Sequence, residues 1–501
     1  MNSRPQSCHF RPLLVLCALA AALLLPGCKG LAVKGEQEAR QRVKDVSEQY
    51  RPKGQKPTLP TLTTNSGLSD FLTYALLNQP KVEAAYLDWV ASVERITVQR
   101  SKPDPQLTFQ MDIQDVVTSL MPGLMLNFPG LGKLRAAGAV AAAASQGGYF
   151  TFKAASLESA YEVKRTYYRL FFLEEKLRVN RENFGLLQEL ERLARSQNEV
   201  GKATLQDVLR AQIEQERLDN EIANLDDSRA TLLAQWKAAL GIEPSDPTPP
   251  VPASFESTPL EVAADKWLEQ ALAQNTRLQS MTADVRAAEA AIRLAYQARM
   301  PDTSLGFMAD AKMSPVLYRP WGTVSLPLWR DKLAAQVAEA QASKRAGEAR
   351  LTAEQIALAV DVAERAFVYR ETTRNLNVLH QALLPKQRQS LEVARSAYLA
   401  GQADFLNLTE AEQTLLRFNL DEVEARTQRE LSLAELSLIM QGMPPAAGGA
   451  AAMEISSPGV GAGKSMGGGA ASAGMGSSGG AMLPGNSAPS PKKMNQGGMS
   501  Q

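Results

Sequence analysis

Along much of this chain apolar residues recur at steps of four and three, the rhythm of a helix that buries one face. Leu218, Ile222, Leu225, Leu232 and Trp236 keep that spacing, with Arg229 as the one polar member of the seam. Lys133 to Val200 contains no proline, and Lys332 to Ala400 contains only Pro385. Each stretch predicts a helix roughly 100 Å long at the usual rise per residue. An earlier helical pattern starts near Ser66 to Ser69, is interrupted at Pro80 and runs to about Arg100. That helix (about 33 residues) and the one after Gly201 (about 38) together match one long helix, as two short helices stacked end to end would.

Two stretches break the helical rhythm. Leu107-Thr108-Phe109-Gln110-Met111 and Leu124-Met125-Leu126-Asn127-Phe128 alternate or run apolar around a polar turn, Gln114 to Ser119. Further on, Ser304 to Met308 and Thr323 to Leu328 flank Lys312-Met313-Ser314-Pro315. Segments of this length suit strands and are too short for helices, so each predicts a β-hairpin.

The whole pattern occurs twice. Leu193-Ala194-Arg195-Ser196 with Gly201-Lys202-Ala203 returns as Val393-Ala394-Arg395-Ser396 with Gly401-Gln402-Ala403. Pro103-Asp104 returns 198 residues later as Pro301-Asp302, and Pro129 returns as Pro327 at the same interval. A period near 200 marks two domain-sized halves, where an array of short repeats would recur every 20–50 residues. Gly185 and Pro385 occupy equivalent points in the two long helices, and both residue types weaken a helix interior, so a shared bend is expected there.

The ends of the chain differ from its middle. Arg4 and Arg11 precede the apolar run Leu13 to Leu25, which closes in Leu25-Pro26-Gly27-Cys28, the layout of a secretory signal ending in a bacterial lipobox. Cys28 is then the lipid-attachment residue, and Lys29 after it favours sorting to the outer membrane. The expected organisation is a signal peptide over 1–27, a lipidated and extended arm or linker over 28–67, and a first repeat over 68–242 with its hairpin at about 103–129. A Pro-rich linker follows over 243–260, then a second repeat over 261–442 with its hairpin at about 301–327, and a disordered Gly-, Ser- and Met-rich tail over 443–501.

Composition narrows the chemistry. A net charge of +1 gives no argument for nucleic acid. Cys8 and Cys17 lie in the signal, which leaves Cys28 alone and allows no intrachain disulfide. Of two histidines only His380 survives signal removal, too few for a His-rich metal centre, and no constellation of nucleophile, base and orienter can be assembled around it on its long helix, so neither catalysis nor a cofactor is expected. Gly461-Ala462-Gly463-Lys464-Ser465 lacks the first glycine of a phosphate loop, Pro458 standing in its place. No apolar run after the signal is long enough for a membrane-spanning helix, so any crossing must use strands.

The polar turns that end the long helices are the candidate site. Gly201 and Gly401 mark the reversals, and Asp207, Asn407 and Glu410 follow them. In a symmetric assembly these residues would ring and charge an opening. They equally suit a solvated helix start, where acidic groups favour the helix dipole.

These residues resemble the TolC-like outer-membrane efflux proteins from about Leu68 to Gly442. The likeness rests on the paired helix–hairpin–helix halves, on Val324-Ser325-Leu326-Pro327-Leu328-Trp329, on Tyr398 to Gly401, and on Leu205-Gln206-Asp207-Val208-Leu209. It implies a mainly helical fold of two tandem repeats forming a long α-helical barrel. It further implies a homotrimer whose subunits each give four strands to a 12-stranded transmembrane β-barrel. The implied partners are a periplasmic adaptor, an inner-membrane pump and outer-membrane lipid, and the implied work is that of a passive exit duct. The family's acidic aperture pair falls on Asn407 and Glu410, of which only Glu410 keeps the carboxylate. Pro103-Asp104-Pro105 and Asn127-Phe128-Pro129-Gly130 are similar to the heavy-metal-exporting branch, although Leu131-Gly132 intervenes before Lys133. The alternatives are a type I secretion outlet and a periplasmic coiled-coil adaptor lipoprotein without a barrel.

Overall fold

The computed structural model describes Val33 and residues 35–113, 117–251, 266–310 and 316–441. The expected signal peptide, Cys28, residues 252–260 of the linker and the tail lie outside the described residues. The first half comprises α1 (Glu36–Tyr50), α2 (Leu68–Asn78), α3 (Pro80–Arg100), β1 (Gln106–Ile113), β2 (Val117–Phe128), α4 (Lys133–Glu199) and α5 (Leu205–Ala239). The second comprises α6 (Trp267–Gln274), α7 (Thr276–Gln297), β3 (Asp302–Asp310), β4 (Leu317–Ser325), α8 (Arg330–Val378), a π-helical turn (Leu379–Leu383), α9 (Leu384–Leu399) and α10 (Phe405–Gln441).

Both hairpins form, and they join into one antiparallel sheet in the order β1-β2-β3-β4. Strand β4 stops at Ser325, short of the expected Leu328, because Pro327 has no N–H with which to extend a ladder. The two hairpins share one register: Thr108 opposite Gly123 in the first returns as Gly306 opposite Trp321 in the second, each residue 198 later. Between the halves β2 pairs with β3, Gly123 opposite Met308 through Phe128 opposite Thr303. Strands β1 and β4 are the open edges.

The 67-residue helix α4 packs on α3 and α5 along one side and on α7 and α10 along another. Helix α8 packs in turn on α7 and α10. The predicted seam on α5 faces α4: Leu218 and Trp236 are buried, and Ile222, Leu225 and Leu232 are half-buried. Its polar member is satisfied across the helix pair, Arg229 Nε donating to Glu174 Oε1 at 2.7 Å.

End-to-end stacking takes a narrower form than expected. Helix α3 starts where α5 ends, at a joint held by side-chain amides: Asn78 Nδ2 donates to Gly241 O at 2.8 Å and Gln79 Nε2 to Ala238 O at 3.0 Å. The second half repeats the device, Asn275 Nδ2 donating to Ile439 O at 2.9 Å between α7 and α10. These amides satisfy carbonyls that a helix end otherwise leaves without partners. Helix α2 does not add to the stack. Pro80 breaks the helix, and Leu68, Phe71 and Ala75 of α2 pack sideways against Tyr167, Tyr168 and Trp236.

The arm expected to be extended is helical over Glu36–Tyr50. Ala39, Val43, Val46 and Tyr50 recur at helical spacing and pack on α3 and α4, and all three arm prolines come after the helix ends. Tyr50, Tyr86, Trp89 and Phe152 form an aromatic cluster there, Trp89 and Phe152 stacking at 5.8 Å. Glu36, buried at the opposite end of α1, accepts from Arg100 Nε at 2.6 Å and from Arg40 Nε at 3.3 Å.

Candidate functional site

The sheet has two unlike faces, and strict alternation produces them. On one face stand Leu107, Phe109, Met111, Leu120, Leu124, Leu126, Leu305, Phe307, Tyr318 and Val324, all exposed although large and apolar. Leu107 and Phe109 are 67% and 66% exposed, far beyond what a water-facing strand places outward in a row. Phe307 and Tyr318 stack at 5.5 Å on this face. The opposite face carries Thr108, Gln110, Asn127, Ser304, Arg319 and Thr323, and Ser119 Oγ donates to Asp310 Oδ2 at 3.0 Å. Gly306 lies under the Trp321 ring, where no Cβ fits. Met121, Met125, Met308, Leu317 and Trp321 also stand on this mainly polar face, and a sheet with one apolar and one mainly polar face suits a boundary between lipid and water. Among the described residues no helix is long and apolar enough to cross a membrane.

At the far end of the long helices the two turns are built alike. Gly201 and Gly401 take φ values of 75° and 71°, in the left-handed region that an L side chain rarely adopts. Lys202 N donates to Gln197 O at 2.8 Å and Gln402 N to Ala397 O at 2.9 Å, the same helix-ending bond in both copies. One apolar cluster of Leu190, Ala194, Val208, Ala211, Tyr398, Phe405 and Leu408 then draws both turns together. Tyr398 and Phe405 meet edge to face at 5.5 Å.

The predicted site residues take different places around that cluster. Asp207 caps α5, its Oδ2 accepting from the Thr204 N–H and from Thr204 Oγ1, both at 2.9 Å. Its charge reaches Tyr398, whose phenol is pushed up by burial first and by Asp207 second. Asn407 and Glu410 are exposed on the first turns of α10, and neither side chain has a hydrogen-bond or ion-pair partner among the described residues. Gly185 lies five residues before Leu190 of this cluster in uninterrupted α-helix, where an added Cβ would meet nothing within 4 Å. Pro385 directly follows the π-helical turn, in the first turn of α9.

Sequence reasoning missed Glu412. It is 2% exposed, and neither carboxylate oxygen has a partner among the described residues. Burial first, and the charge of Glu214 second, push its pKa up to about 8. It lines a groove with leucines, Leu190, Leu193, Leu391 and Leu408 among them, and with the charged Glu189, Arg192, Glu392 and Arg395. The signal was present in the spacing: Phe405, Leu408, Glu412 and Leu415 keep a three-four-three step, which puts a carboxylate in an apolar stripe.

The family described as outer membrane efflux protein matches residues 72–242 and 267–441. Comparison with curated proteins finds no match. Among solved structures, the outer membrane protein VceC from Vibrio cholerae is 17% identical, with a TM-score of 0.62 over 75% of this chain and 96% of that one. The CmeC outer membrane channel of Campylobacter jejuni is 14% identical, with a TM-score of 0.65 over 79% and 91%. The open state of the MtrE outer membrane channel of Neisseria gonorrhoeae is 16% identical, with a TM-score of 0.63 over 77% and 97%. At these identities the likeness is one of fold, and the family match carries the function. The doubled helix–hairpin–helix plan, the two-faced sheet and a match over both halves agree: this chain belongs to the outer membrane efflux protein family.

Proposed function

We propose that the chain works as a homotrimeric exit duct of a tripartite efflux pump, anchored to the outer membrane through a lipid on Cys28. The exposed apolar face of the four-stranded sheet carries this reading. Four strands cannot close a barrel, since about eight make the smallest filled one, and open edges are not tolerated in lipid. Three copies supply 12 strands and leave no edge. The helices then stand in the periplasm and end in the paired turns, where a periplasmic adaptor would dock and join the duct to an inner-membrane pump. Transport through the duct is passive, and cargo choice belongs to the pump. Asp207, Asn407 and Glu410 are the candidate aperture residues, Glu410 the one free carboxylate among them. A barrel-free adaptor has no use for ten large apolar side chains on one sheet face, which disfavours that alternative.

The test is single-channel recording of the purified, lipidated protein in planar bilayers. Discrete, long-lived conductance is expected. Silence that persists when Glu410→Ala and Asp207→Ala are combined would sink the channel reading.

A further inference from the structure

The boundary between β2 and β3 is where the two halves of one chain meet, and it carries a polar latch. Asp302, at the start of β3, accepts from the Gly130 N–H at 2.6 Å and from Lys133 Nζ at 2.7 Å, both just after β2. The repeat supplies the two charged members of this latch again, while the backbone donor is not returned, the Leu328 N–H being bonded to Leu326 O at 3.0 Å. Asp104 stands 198 residues before Asp302, ahead of open edge β1, and Lys332-Leu333 returns Lys133-Leu134 199 residues on, just after open edge β4, with Asp331 at the 198 position beside it. Asp104 and Lys332 are both exposed, and neither has a partner among the described residues. One chain therefore holds a complete latch at its middle and half a latch at each end.

We propose that β4 of one copy pairs with β1 of a second copy in the register that β2 and β3 use, and that Lys332 closes on the partner's Asp104. Shifting the internal pairing by the repeat sets Thr323 opposite the partner's Thr108, Val324 opposite the partner's Leu107 and Trp321 opposite the partner's Gln110. Two independent features fit this register. First, it keeps the faces matched: Val324 and Leu107 both belong to the apolar face, and Thr323 and Thr108 to the polar one. A slip by one residue would turn every side chain to the wrong face. Second, it brings Arg319 opposite the partner's Asp112 on the polar face, a favourable cross-strand pair of opposite charge. The two hairpins already obey the 198-residue shift from Gln106 to Asp112 and from Ser304 to Asp310, up to the irregularity at Ile113, so the third use of the same register introduces no new geometry.

This inference rests on the closed-barrel reading and adds its seam. The other cysteines of the chain all lie at or before residue 28, so paired substitutions in the full-length lipidated protein report cleanly. Thr108→Cys with Thr323→Cys should give copies linked by disulfides under mild oxidation. The register slipped by two, Gln110→Cys with Thr323→Cys, should link far less. A stronger link in the slipped pair would overturn the register. For the latch, Asp104→Lys and Lys332→Asp should each lower the temperature at which the oligomer dissociates in dodecyl sulfate, and the double exchange should restore it. If the double exchange behaves like the worse single variant while the Thr108–Thr323 link still forms, the latch is wrong and the register stands. If light scattering finds only single copies of the unaltered protein, the closed-barrel reading fails and takes both with it.

Discussion

Replacing Glu412 by Gln removes one buried titrating group from a groove wall of leucines and charged residues while nearly keeping its shape. The residue is 2% exposed, its carboxylate has no hydrogen-bond partner among the described residues, and its pKa is pushed up to about 8 from an ordinary 4.5. Between those two values the folded chain holds a proton that the unfolded chain has released. Stability therefore falls as pH rises through this window, and the loss is complete only above the folded value. Integrating from pH 5 to pH 8, at about 1.4 kcal/mol for each tenfold change in proton activity, gives a loss of about 3.5 kcal/mol from this side chain alone. The Gln variant lacks that slope. Urea midpoints of both proteins, taken at pH 5, 6, 7 and 8 in the same detergent, isolate the effect, because every other titrating group cancels in the difference. The difference should grow steadily in favour of Glu412→Gln as pH rises. A difference that stays constant across the four pH values would refute the argument, since it would mean that Glu412 titrates alike folded and unfolded.

Four further outcomes follow from the geometry. Asp207→Ala removes the reciprocal cap on α5 and should destabilise the tip by about 1 kcal/mol, seen as faster amide exchange over residues 205–212. Phe109→Lys puts a charge on the apolar face and should cost about 2–4 kcal/mol at mid-membrane depth, read as loss of the membrane-inserted fraction. Glu410→Lys should shift ion preference towards anions in planar bilayers, and unchanged reversal potentials would remove Glu410 from the aperture. Arg100→Met strips Glu36 of two hydrogen bonds, at 2.6 and 3.1 Å, while Arg40 still pairs with the buried charge, and should cost about 1.5–3 kcal/mol, measured by chemical denaturation.

Most of the architecture was legible in periodicity. Strands and long helices have different periods, two and about three and a half, and the change at Leu107 to Met111 and again at Ser304 to Met308 marks the hairpins. Helix α1 escaped because Pro52, Pro57 and Pro60 dominate the look of the arm, while the quieter spacing of Ala39, Val43, Val46 and Tyr50 carries the helix. The amide joints at Asn78, Gln79 and Asn275 were not legible either. Their partners are carbonyls about 160 residues away, and a side chain that binds backbone leaves no matching residue type to find. At the tip, Gly201 and Gly401 could be read because a left-handed turn demands glycine. The burial of Glu412 could not be read from its chemistry, only from its step along the helix.

The π-helical turn at Leu379–Leu383 bears on how the two halves stay in phase. From Lys133 to Gly201 the first half takes 68 steps, and from Lys332 to Gly401 the second takes 69. One extra residue in a continuous α-helix would rotate everything beyond it by about 100° and swing the apolar stripe away from its neighbours. A π turn closes its hydrogen bond one residue later than an α turn and so takes in that residue locally. Pro385 lies where the loosened backbone has least need of the N–H it lacks. The wider turn acts as a vernier between two rulers of unequal length: Tyr398 still meets Phe405, and the second turn closes at Gly401 as the first does at Gly201.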